Sequence, residues 1–130
     1  MAPTHKEIFE RYLYTGAISR NPDAQAAMFT EDGVYEAPLV PDGHRLPRRL
    51  AGRSAIRDGI SAFHELAAQG TVNAELSRLV LHDTADADVF MAELDAVLDH
   101  PGGQRETVSL VQIFRIRDGQ IAMLRDYFTP

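Results

Sequence analysis

The hydrophobic pattern changes its period near residue 70, and that change constrains the fold more than any single motif. Before it, apolar residues recur at helical intervals; after it, four long runs alternate as strands do. The runs are TVNAELSRLVLHD, DVFMAELDAVLDH, RETVSLVQIFRIR and QIAMLRDYF, joined by turn-forming stretches such as HPGGQ and RDG. A chain that makes helices first and an antiparallel meander afterwards must use the helices to cover one face of the sheet. The expected class is therefore α+β.

The first half supplies three helices and one strand. Thr4 followed by Glu7 has the spacing of a capping box, and Ile8, Phe9, Tyr12, Leu13 and Gly16 predict a helix over about residues 5 to 18. Asn21 caps a second helix, with Pro22 at its first position and Asp23 complementing the dipole. The stretch EDG stops that helix, and VYEAP is a short strand ended by Pro38. Residues 39 to 50 carry several breakers and read as a loop long enough to form a rim or lid. A third helix, capped by Ser54 and closed by Gly70, sets Ile56, Ile60, Phe63 and Ala67 on one face.

No repeat, low-complexity segment or linker divides the chain, so residues 1–130 read as a single domain. With 45% hydrophobic residues that domain is large enough to bury a real core. Nineteen acidic against thirteen basic residues give a net charge of −6, which argues against nucleic acid or an anionic membrane as partner. The absence of cysteine removes disulfides, thiolate metal sites and thiol nucleophiles. Without a long apolar run or a signal-peptide pattern, the expected location is the cytoplasm.

The last run places Arg125 beside Asp126, and neighbours in a strand point to opposite faces. A two-residue loop at Asp118 and Gly119 sets position 112 opposite 125, whereas a three-residue loop sets it opposite 124. In the three-residue register one face collects Val108, Leu110, Gln112, Phe114, Ile116, Ala122, Leu124, Asp126 and Phe128. The other collects Arg115, Arg117, Arg125 and Tyr127 with Val111, Ile113 and Met123. Because it puts all three arginines outside, this register is the expected one. Asp126 and Gln112 are then the polar residues of an apolar inner wall, and a buried carboxylate must be paired, protonated or functional.

The stretches AAMFTEDGVYEAP, LAGRSAIRDGISAF and IFRIRDGQIAMLRDYF together resemble the nuclear transport factor 2-like superfamily. That superfamily includes ketosteroid isomerase, SnoaL-like polyketide cyclases and limonene epoxide hydrolase, and the resemblance runs over nearly the whole chain. It implies a curved antiparallel sheet wrapped around the helices, a barrel-like cone with an apolar pocket. By comparison with ketosteroid isomerase, Tyr12 falls at the helix-one tyrosine of the oxyanion hole and Gln112 at a protonated aspartic acid. The base of that enzyme would sit at Ala37, next to Glu36. By comparison with limonene epoxide hydrolase, Asp126 and Asp95 fall on the catalytic aspartates, and Glu93 replaces the arginine between them. In SnoaL-like cyclases the base is an acidic residue of the last strand, which again points to Asp126.

The resemblance thus implies cofactor-free acid/base chemistry on a small apolar molecule, with Asp126 as base, Tyr12 and Gln112 as donors and Asp95 as a second carboxylate. Glu93, Phe63, Leu110, Phe114, Leu124, Phe128 and His44 would line the substrate site. If Glu93, Asp95 and Asp126 share one pocket, at least one holds its proton near neutral pH. If Glu93 lies at the mouth, it pairs with an arginine instead. The rival is a non-catalytic binding or dimerisation module; an open pocket that exposes Asp126 and Tyr12 favours the enzyme, and one plugged by side chains favours the module.

Other residues carry less. The histidines at 5, 44, 64, 82 and 100 lack metal-ligand spacing, although His44 and His64 could reach a pocket. Arg45, Arg48, Arg49, Arg53 and Arg57 read as a solvated surface, as counter-charges, or as an anion clamp. No phosphate loop, dinucleotide fingerprint or serine elbow is present, and no metal or cofactor is expected. The apolar residues among the outer arginines predict a homodimer through the sheet.

Overall fold

A computed structural model of the chain describes residues 2–66 and 70–130. Helix α1, His5–Leu13, opens with the predicted reciprocal cap: Glu7 N donates to Thr4 Oγ1 at 3.1 Å, and Thr4 N donates to Glu7 Oε1 at 3.0 Å. It runs on into a π-helical turn, Tyr14–Ile18, so together they fill the predicted span. Helix α2, Pro22–Ala26, is capped by Asn21, whose Oδ1 accepts from Ala24 N. Helix α3, Arg53–Leu66, starts one residue before Ser54, so Ser54 is helical and not the cap. The expected Ala67 contact lies outside the described residues.

Seven strands form one mixed sheet among the described residues: β1 Phe29–Glu36, β2 Arg49–Ala51, β3 Thr71–Val72, β4 Arg78–Asp83, β5 Val89–Asp99, β6 Arg105–Arg117 and β7 Gln120–Tyr127. Their order is β2-β1-β7-β6-β5, with β3 and β4 both paired to the far side of β5. The sheet is curved but open, and does not close into a barrel. The meander is antiparallel as expected, whereas β1 joins β7 in parallel. Strand β1 also starts earlier than VYEAP, running through EDG across a register irregularity between Phe29 and Val34.

Two further departures follow from local hydrogen bonds. The first long run is split because Asn73 turns out of the ladder: its Oδ1 accepts from Leu76 N, its Nδ2 donates to Asp99, and Ser77 Oγ stands in as acceptor for Val97 N. The last hairpin uses the two-residue loop, with Asp118 at φ 53° and Gly119 at φ 76°. A one-residue bulge between Ile121 and Met123 then shifts the ladder, so Gln112 faces neither 124 nor 125 but Asp126. The bulge sends Ile121 inward, fully buried, in place of the expected Ala122. Beyond it, Leu124, Asp126 and Phe128 occupy the inner face as expected.

The helices fill the concave side of the sheet. Ile8, Phe9 and Tyr12 form the buried face of α1, and Phe114 on β6 meets Phe9 and Tyr12 edge-on while stacking on Phe90 at 4.7 Å. Each buried aromatic of this kind removes a large apolar area from water, on the order of 2–3 kcal/mol per side chain, which fixes α1 against the middle of the sheet. The predicted rim loop is tied down as well: Val40 and Leu46 are buried, and Arg48 Nε donates to Val40 O at 2.7 Å. Among the described residues no helix is long and apolar enough to cross a membrane.

Candidate functional site

Asp126 is brought inside by the alternation of β7 and is only 9% exposed. Its Oδ2 accepts from the Tyr35 hydroxyl at 2.7 Å, and its Oδ1 accepts from Gln112 Nε2 at 3.3 Å. Gln112 arrives from the directly opposed position of β6, and Tyr35 from β1 on the other side of β7. Burial pushes the Asp126 carboxyl up from 3.8 to about 6, against the pull of the Tyr35 and Gln112 hydrogen bonds. Both of its donors are neutral, and among the described residues no cationic side chain pairs with it.

Tyr12 completes this interior group from α1. It is 6% exposed, and burial followed by the Asp126 charge raises its hydroxyl well above the ordinary tyrosine value, with the Gln25 amide pulling the other way. Tyr35 is raised for the same two leading reasons, and Tyr12 adds to them. Two tyrosines that stay protonated around one carboxylate make a set of neutral donors beside a single titrating acid. Sequence reasoning missed Tyr35, although it occupies an inward position of VYEAP two residues before the site compared with a catalytic base.

The other expected carboxylates do not join them. Glu93 and Asp95 are on the outer face of β5, because Ala92 and Leu94 take the inward positions opposite Gln112 and Leu110. Asp95 is exposed and accepts from Ser109 Oγ at 2.6 Å, while Glu93 contacts His82. Assignment of Asp95 as a second catalytic carboxylate, and of Glu93 as a pocket residue, is therefore corrected by strand parity. Arg125 is outside, as expected, 3.3 Å from Glu36 and with its guanidinium over the Tyr127 ring.

The proposed lining divides into two groups. Phe114 and Leu124 are fully buried in the core. Phe128 and Phe63 meet edge-to-face at 5.8 Å, and with half-buried Leu110 they continue the inner wall past Asp126. His44 is held within its own loop, where Nδ1 accepts from Leu46 N at 3.1 Å. His64 on α3 is half-buried with Nδ1 unpartnered, and burial together with Arg20 lowers its pKa. The arginines act as counter-charges and backbone ties: Arg57 binds Asp23 and Asp58, Arg53 holds Phe29 O, Arg49 approaches Glu36 and Arg48 approaches Asp42.

Two surface hollows, of about 530 and 380 Å³, lie elsewhere, the first between α2 and the start of α3 and the second beside His5 and Phe90. Neither includes Asp126. Asp126 and Tyr12 are themselves almost wholly covered. Among the described residues no three histidine, aspartate or glutamate side chains converge as a metal site would require.

Comparison with known proteins gives consistent relatives. Residues 9–124 match the family model for the SnoaL-like domain. A PhzA/B-like protein of Pseudomonas aeruginosa is 30% identical over 125 residues, covering 93% of this chain and 83% of its own. Among solved structures, a Bacillus subtilis protein provisionally named an isomerase aligns with a TM-score of 0.76 at 23% identity, over 96% of this chain and 86% of that one. A Pseudomonas putida protein provisionally named a polyketide cyclase aligns at 0.67 and 17% identity, over 98% and 93%. At these identities the two structures establish a shared fold.

Proposed function

The chain belongs to the SnoaL-like domain family, and on that premise we propose that it is a small-molecule enzyme performing acid/base chemistry on a mostly apolar organic substrate. The reaction is of isomerase, cyclase or epoxide-opening type, with Asp126 as general base and no cofactor. One observation carries this reading: Asp126 is a buried carboxylate held by neutral donors, paired with no cation among the described residues, and pushed up to about 6. A structural aspartate in such a place is ordinarily neutralised by an arginine, which would depress its pKa and waste it as a base. With a value near 6 it is mostly ionised at neutral pH yet basic enough to take a proton, the condition for an efficient general base. Tyr12 and the second amide hydrogen of Gln112 then serve developing negative charge on a carbonyl oxygen. The isomerase and cyclase names of the structural neighbours agree with this class of chemistry.

A second reading, a binding module of the same fold, is favoured by the depth of the group, since Asp126 and Tyr12 are almost inaccessible. We further propose that two copies pair through the outer face of the sheet, where Val111, Ile113, Met123 and Tyr127 are only half covered.

Proton exchange separates the readings. Cyclic ketones and β-keto esters are incubated with the protein in heavy water, exchange of the acidic C–H is followed by NMR, and epoxides are assayed for opening. Exchange or turnover that disappears in Asp126→Asn supports the enzyme. Binding of the same compounds with no conversion in either protein supports the module.

A further inference from the structure

The two oxygens of Asp126 are held unequally. The Tyr35 bond to Oδ2, at 2.7 Å, is of ordinary length for a hydroxyl donor, while the Gln112 bond to Oδ1, at 3.3 Å, is longer than an amide donor prefers. We propose that Tyr35 is a positioning residue that fixes Oδ2, so that Oδ1 is the oxygen that takes up and releases the proton, with the Gln112 amide turning over in step. This deepens the general-base reading above and rests on it.

The chemistry follows from counting donors and acceptors. In the ionised state Tyr35 O–H and Gln112 Nε2–H each donate to one carboxylate oxygen. When a C–H or O–H bond of the substrate breaks, its electron pair stays on the substrate and the proton forms an O–H bond at Oδ1. Oδ2 remains an acceptor, so the Tyr35 bond survives protonation unchanged in direction. The Oδ1–H now donates, which Nε2 cannot accept. Rotating the Gln112 side-chain amide presents Oε1 to the new hydroxyl, and frees both amide hydrogens for the substrate oxygen. Tyr35 can hold this post because burial and the adjacent negative charge keep its own proton in place. Of the two hydrogen bonds that pull the Asp126 value down, that from Tyr35 is the larger contributor.

The test is a titration of the Asp126 carboxyl carbon by NMR, which needs no substrate and is therefore independent of whether turnover is ever found. In Tyr35→Phe the midpoint should rise by about one pH unit, and in Gln112→Leu by less. Equal midpoints in Tyr35→Phe and the wild type, or a larger rise in Gln112→Leu, would overturn the assignment. Should Tyr35→Phe fail to fold, the wild type decides. The Gln112 amide signals should move with the Asp126 midpoint, while the Tyr35 hydroxyl proton stays protected from exchange on both sides of it. A hydroxyl proton protected only above the midpoint would defeat the proposal. A protein that titrates as expected but converts nothing would sink the enzyme reading and leave the hydrogen-bond assignment standing.

Discussion

Tyr35 and Asp126, 91 residues apart in the chain, are joined by a buried 2.7 Å hydrogen bond across the parallel pairing of β1 with β7. The bond ties the first strand to the last at the point where the only titrating carboxylate of this interior group sits. Stability and protonation of the fold are linked there.

Asp126 should make the protein less stable as pH rises. Its folded-state value is raised from 3.8 to about 6, so the folded protein holds the proton more tightly than the unfolded chain. That contribution is fully present below about pH 4 and is lost as pH rises through about 6, for a total of roughly 3 kcal/mol at most. Asp126→Asn has no such dependence. Urea unfolding of both proteins between about pH 4 and pH 8 should show the variant gaining on the wild type as pH increases. A constant difference across that range would mean that Asp126 is not desolvated.

Arg125→Gln should leave the Asp126 titration where it is, because the two side chains stand on opposite faces. Its ion pair with Glu36 is partly exposed, so its loss should change stability by ~1 kcal/mol or less. Thermal unfolding and the carboxyl titration of the same variant check both halves. A displaced Asp126 midpoint would place the arginine in electrical contact with the interior after all.

If the outer face pairs two copies, a charge at its centre should separate them. Ile113→Asp lies opposite Arg125 in the ladder and away from the inner wall, so it should give a folded monomer where the wild type scatters as a dimer at micromolar concentration. A monomeric wild type would remove the interface.

Gly33→Ala should be costly although it is a small change in a strand. An added Cβ would lie 3.0 Å from both Phe29 Cβ and Thr30 O, and 3.2 Å from Ile121 O, where β1 bends against β7. Backbone atoms cannot step aside as a flexible side chain would, so a loss of ~1–3 kcal/mol is expected by urea unfolding. A neutral substitution would show that the two strands part easily at that point.

The capping box at Thr4, the cap at Asn21, the helices-then-meander order and the inward direction of Asp126 were legible because each depends on neighbours in sequence or on strand parity. The same parity held the answer for Glu93 and Asp95: in VFMAELDAVLD the apolar Phe90, Ala92 and Leu94 claim the inner face, which leaves both acids outside. Resemblance to a family with inward carboxylates outweighed that signal. Tyr35 was hidden for a different reason. Nothing in β1 or β7 alone says that they become parallel neighbours, and only that long-range pairing brings the hydroxyl to Asp126.

The bulge at Ala122 also has a meaning for the chain as a text that can lose or gain letters. One residue dropped from a strand normally inverts everything downstream, but Ala122 is the supernumerary residue of its ladder. Removing it would leave the Asp118-Gly119 turn intact and still bring Asp126 opposite Gln112, with the local bend relaxed and the sidedness kept. A deletion further along the strand keeps that sidedness only if Ala122 gives up the bulge and enters the ladder in its turn. The hairpin therefore contains one position where the reading frame of inside and outside is forgiving, and a lineage could shorten this strand there without turning its carboxylate to the solvent.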